Sequence, residues 1–229
     1  MTGRAVRWAG LAGAVVSALA VMVGMALTWA TGPDGYEIAG ADASYLEDYV
    51  PGLVHPVAQF YVNYTTAFAM AALLLAATAG VRGPCARFAA CGAAVLAAAL
   101  LVLAAVDSLP EPGGYWEPYQ APRQQAYAAV FAVLAVVVLA GAVALLRRAY
   151  AVHHGITVVF PLALCALHLS ALLILSTTLD PGAALHAGAW LAAPAYLLMG
   201  VFAVLAAHGS RPRTGPDSAP QGRVPVASV

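Results

Sequence analysis

The sequence predicts an all-α integral membrane protein: six transmembrane helices arranged as three hairpins, with the N and C termini cytoplasmic. Three observations lead there. The 229 residues are 62% hydrophobic and only 9% charged, whereas soluble domains carry roughly 25% charged residues. A core large enough to hide that much apolar surface does not fit a chain of this length, so lipid must be the solvent for much of it. The apolar residues fall into six long uncharged runs, and the charges between those runs alternate in sign.

The runs are Trp8–Ala30, Val57–Val81, Phe88–Val106, Gln124–Leu146, Ile156–Thr178 and Ala184–Ala207, none of which contains Asp, Glu, Lys or Arg. Each meets, to within a residue, the roughly 20 that a helix needs to cross about 30 Å of hydrocarbon. Helix is the expected form, because lipid cannot satisfy exposed backbone groups and the alternation of a membrane barrel is absent.

Arg4 and Arg7 precede the first run, Arg82 and Arg87 bound the second connection, Arg147 and Arg148 open the fourth, and Arg211, Arg213 and Arg223 lie in the tail. Only Arg123 falls on the other side, and only Asp217 breaks the matching pattern of acids. The positive-inside rule then makes the arginine-bearing side cytoplasmic and the chain a multi-pass protein of the cell membrane. Arginine without lysine, with an excess of alanine, points to a bacterial genome rich in GC.

Residues 1–208 are expected to form the membrane domain. Residues 209–229, rich in Pro, Ser and Gly, read as a disordered cytoplasmic tail. The outer connections GPDGYEI (32–38), EPGGYWE (111–117) and DPG (180–182) share turn chemistry rather than a demonstrable repeat. The first outer loop is long and holds Asp34, Glu37, Asp42, Glu47 and Asp48, half of the ten acids. LTWAT and YEIAG flank its GPDG turn, so a short β-hairpin is expected. Residues 43–49 read as a half-buried helical cap.

No phosphate-binding loop, dinucleotide fingerprint, zinc-protease helix, CxxC pair or nucleophile elbow occurs in the sequence. Zero net charge and no basic run leave nucleic acid without a footprint. No ligand spacing is diagnostic of a metal. Cys85, Cys91 and Cys165 read as inert, buried thiols rather than a disulfide framework.

Three features remain. Gly10, Gly13, Ser17, Ala20 and Gly24 recur on one face of the first span, a small-residue seam of the kind by which membrane helices associate, internally or with a partner protein. Thr157, Pro161, Cys165, His168 and Ser176 form a polar stripe on the fifth span, with a kink expected at Pro161. His168 lies near mid-membrane, where an ionisable group marks a candidate substrate or cofactor contact: a haem ligand, a proton relay or a lipid-binding group. No second histidine sits at matched depth for a bis-His haem. Asn63, Thr66 and Met70 make a second, shorter polar face on span two; were it to meet the span-five stripe, a polar pocket would open outward, but nothing in the sequence shows that the two meet.

The third feature is the outer surface, with candidate acids Glu47, Asp48 and Asp107 and aromatic groups that include Trp116. Two functions fit these residues. The first is a non-catalytic accessory or assembly protein that binds partners through its outer loops and its seam. The second is a membrane enzyme acting on a lipid or prenyl-type substrate near the outer leaflet, using those carboxylates as proton donors and Asn63, Trp116 and His168 as contacts.

Overall fold

The computed structural model describes residues 3–50, 54–110 and 120–209. They form six long helices: α1 (Gly3–Ala26), α2 (Pro56–Ala76), α3 (Pro84–Asp107), α4 (Gln120–Leu146), α5 (Tyr150–Thr178) and α6 (Ala187–His208). Five of these, α1 and α3 to α6, are long and apolar enough to cross a membrane. The exception is α2, which carries Gln59, Asn63, Thr65 and Thr66 within 21 residues. The expected tail, the 111–117 turn and Trp116 lie outside the described residues.

Two expected spans end differently from the hydropathy pattern. The first helix stops at Ala26, and Thr28–Thr31 continues as strand β1. Its β-branched and aromatic residues favour an extended chain, and the Trp29 indole folds back to donate to the Gly24 carbonyl at 2.8 Å. The sixth helix starts only at Ala187, because Ala184–Leu185 is strand β3. Strand β2 (Glu37–Ala39) pairs antiparallel with β1, as the turn chemistry of GPDG suggests, with Gly35 taking φ +80° in the turn. On its other edge β1 accepts β3, giving the order β2-β1-β3. A 3-10 segment, Gly40–Tyr49, follows β2 and lies on α2, where the Thr65 hydroxyl reaches the Gly40 carbonyl at 3.4 Å.

The helices do not pack simply as three sequential hairpins. The pairs α3–α4 and α5–α6 do pack side by side, but α1 lies chiefly along α6, and α2 touches α1, α3 and α5. The seam explains the first of these contacts. A Cβ at Gly10 would overlap the backbone of Ala206, and one at Gly13 would strike the ring of Phe202. The seam residues Gly10, Gly13, Ser17 and Gly24, read as a possible surface for a partner, thus line an internal interface: Gly10, Ser17 and Gly24 are buried and Gly13 partly so. Helix α5 runs on through Pro161. The non-helical dihedrals fall instead in α2, at Tyr64 (φ −124°, ψ 16°).

The core joins two aromatic groups. Phe60, Tyr64, Phe68, Tyr127 and Phe131 interlock between α2 and α4, with centroids 4.7 to 6.1 Å apart. Trp29, Tyr61, His168 and Tyr196 form the second group between β1, α2, α5 and α6. The thiols are free, but Cys85 is exposed rather than buried, since it sits in the first turn of α3.

Candidate functional site

The candidate residues separate into two places. The first is the buried His168. Its Nε2 lies 2.8 Å from the Ala189 carbonyl, which can only accept, so that nitrogen carries the ring proton. In the neutral ring Nδ1 then accepts from the Tyr61 hydroxyl at 2.7 Å. Both nitrogens are engaged, and a haem iron or a proton relay would have to displace one of these bonds. Two other members of the stripe, Thr157 and Pro161, are buried, Cys165 is partly so and reaches the Ala193 carbonyl at 3.3 Å. Ser176 is exposed and donates to its own helix at Leu173.

The two polar faces do not meet. Asn63, Thr66 and Met70 face α3, whereas the α2 residue that meets the α5 stripe is Tyr61. On a helix, positions 61 and 63 point about 200° apart, so both cannot address the same neighbour.

The second place lies where the 3-10 segment meets the N-terminal ends of α2 and α4, and centres on Glu47. Gln59, on the first turns of α2, holds it. The Arg123 guanidinium donates to Gln59 Oε1 at 2.7 Å and the Tyr127 hydroxyl to the same oxygen at 3.2 Å. Two donors on one side fix the amide, so its nitrogen must face Glu47, donating to Oε2 at 3.1 Å. Arg123 also donates to the Val54 carbonyl at 3.2 Å, and Tyr127 to that of Pro56 at 2.8 Å. The second carboxylate oxygen of Glu47, Oε1, is buried and makes no hydrogen bond among the described residues. Burial raises the Glu47 carboxyl above its ordinary value. Gln59, Asn63 and Arg123 oppose the rise, and the neighbouring Asp48 charge adds to it.

Asp48, adjacent in sequence, is exposed. Asp107 ends α3 and, with Asn63, stands at the polar end of a groove of about 580 Å³ between α2 and α3. Of these candidates, Glu47 and Asn63 come together, Asp107 shares a groove with Asn63, and Asp48 is exposed. Gln59, Tyr61 and Tyr127 were not singled out in the sequence. Arg123 carried a signal, being the one arginine on the acidic side. Among the described residues no group of three or more His, Cys, Asp or Glu could hold a metal ion.

Comparisons of the chain with protein-family models, with curated proteins and with solved structures return no match.

Proposed function

We propose that this chain is a six-span protein of the cell membrane, both termini cytoplasmic, with a non-catalytic role in which its outer cap docks an extracytoplasmic partner. The sixth span is α2. Its 21 residues carry no formal charge, and at about 1.5 Å per residue they reach the thickness of the hydrocarbon core. The orientation rests on the sign of the connections, with nine arginines on one side.

The observation that carries the docking reading is the surface of the cap. Tyr36 and Tyr45 are 56% and 53% exposed, yet they stand on a segment fixed by the three-stranded sheet and by the contact with α2. Asp34, Glu37, Asp42 and Asp48 are exposed around them, and residues 28–50 contain no arginine or lysine. Rigid aromatic groups lose little freedom on binding, and an unrelieved acidic rim favours a basic partner surface. The test is cross-linking in native membranes followed by purification. A partner captured by the wild type should be lost with Tyr45→Ser combined with Asp42→Asn, and weakened by added salt. Equal capture by the double variant would sink this reading.

One observation favours a second reading, a membrane enzyme acting on a lipid or prenyl-type substrate. The half-buried Glu47, with one oxygen unpartnered, retains its proton to higher pH than a solvated glutamate, as a general acid requires. Under that reading Glu47→Gln abolishes turnover of the substrate and leaves partner capture intact.

A further inference from the structure

We infer that the groove between α2 and α3 binds an amphiphile with an ammonium head and a hydrocarbon chain, taken from the outer leaflet. The inference is independent of the docking reading, since the groove and the exposed tyrosines belong to different surfaces.

The groove holds about 580 Å³, within the roughly 300–1,000 Å³ typical of small-molecule sites. Its long wall is apolar, with Met70, Leu100 and Leu103. Its outer end is polar, with Asn63, Tyr64 and Asp107. Leu103 is 65% exposed, so the groove opens sideways to the bilayer rather than into the bundle. From Leu100 to Asp107 the wall rises about 10 Å at 1.5 Å per residue, so a head at Asp107 leaves its chain pointing into the membrane.

The backbone of α2 supplies an independent sign. Its helical dihedrals fail at Tyr64, a residue of the groove wall that is neither proline nor glycine. Irregular backbone at membrane depth persists where it is buried in protein or lines a cavity, and broken helices recur at membrane binding sites.

The head group follows from charge. Asp107 is an exposed carboxylate, Glu47 lies beyond Asn63, and among the described residues no arginine lines the groove. An anionic head would meet like charge. An ammonium would meet the Asp107 carboxylate, the Asn63 carboxamide and the face of Tyr64, which attracts cations. Another groove, about 300 Å³ between α4 and α5, is lined by Leu134, Val137, Ile156 and Phe160, and among the described residues it has no polar end. It is the internal control, because a chain can enter it but no head group is selected there.

The experiment uses the purified full chain in nanodiscs with a photoactivatable hexadecylamine and the fatty acid of matching chain, cross-linked sites being read by mass spectrometry. The amine should label the α2–α3 groove about threefold more than the acid, the scale of one exposed ion pair, and both should label the α4–α5 groove alike. Asp107→Asn should remove the preference, and Leu103→Trp should block entry of either probe. Competition by phosphatidylethanolamine but not phosphatidylglycerol would identify the occupant as a bilayer lipid. Competition by free alkylamine alone would identify it as a single-chain amine. Equal labelling by amine and acid, or a preference that survives Asp107→Asn, would overturn the proposal.

Discussion

The Tyr61 hydroxyl and the His168 imidazole lie 2.7 Å apart inside the bundle, and the far nitrogen of the same ring holds the Ala189 carbonyl. One side chain thus joins α2, α5 and the first turn of α6, beneath the indole of Trp29. In hydrocarbon no water replaces a lost partner, so each bond is costly to leave unmade.

Tyr61→Phe leaves Nδ1 of His168 without a donor and should lower stability by about 1 kcal/mol, a typical value for a polar contact between membrane helices. His168→Ala removes both bonds and opens a cavity, and should cost about 2–5 kcal/mol. Thermal unfolding in detergent measures both. Protein purified from haem-replete cells should show no Soret band, since binding iron would break one of these bonds; a band abolished by His168→Ala would assign the ring to a cofactor.

The seam gives a graded test. At Gly10 a methyl group meets the Ala206 backbone, which cannot step aside, so Gly10→Ala should cost about 1–3 kcal/mol as overpacking. At Gly24 the nearest atom to an added Cβ is 3.8 Å away, an ordinary contact. Gly24→Ala should be neutral, or stabilising by up to about 1 kcal/mol through helix propensity. Equal losses at both positions would show that the seam acts on something other than α6.

Glu47 makes a prediction about pH. Its folded carboxyl titrates above its ordinary value of 4.5, so between those two values the folded protein binds more protons than the unfolded chain. Stability is therefore fully present below pH 4.5 and falls as pH rises through the folded value. Glu47→Gln keeps an acceptor for Gln59 and should flatten that slope. Unfolding midpoints across the acid range decide this, and a slope that survives Glu47→Gln would place the buried proton elsewhere.

Topology can be read with thiol reagents. Ser44 is exposed in the 3-10 segment and Cys85 is exposed at the start of α3. An impermeant maleimide should label Ser44→Cys in intact cells and reach Cys85 only after permeabilisation. Ser44 serves better than Gly35, whose φ of +80° would strain any side chain. The reverse pattern would invert the map.

What the sequence disclosed follows from which forces are local. Spans are set by summed hydropathy, and the hairpin by the GPDG turn, so both are legible along the chain. The second partner of β1 is not, because β3 lies at residues 184–185 and brings only two residues to the pairing. The seam identified Gly10 as a packing residue but not Ala206 as what it packs against. At the site, Glu47 stood out through its place before an apolar run. Gln59 and Tyr127 did not, since an amide and a phenol on apolar helices have no spacing that distinguishes an outer-end clamp from ordinary interface residues. Whether the polar face of α2 meets that of α5 was not legible either, because hydropathy does not say which side of a helix a neighbour takes. In α2, Tyr61 and Asn63 serve different neighbours.

Strand β3 also sets an order of events during synthesis. Ala30 pairs with Leu185 and Thr31 with Ala184, so the middle strand of the cap waits for a segment made after five of the six helices. Closing so long a loop has an entropic cost that only later contacts offset. Until α5 and α6 have been made, the cap offers a two-stranded ribbon with one edge bare, a state open to holding factors and to proteases. The last hairpin closes that edge and lays α6 along the glycine seam in one step, so the cap and the α1–α6 interface are completed together.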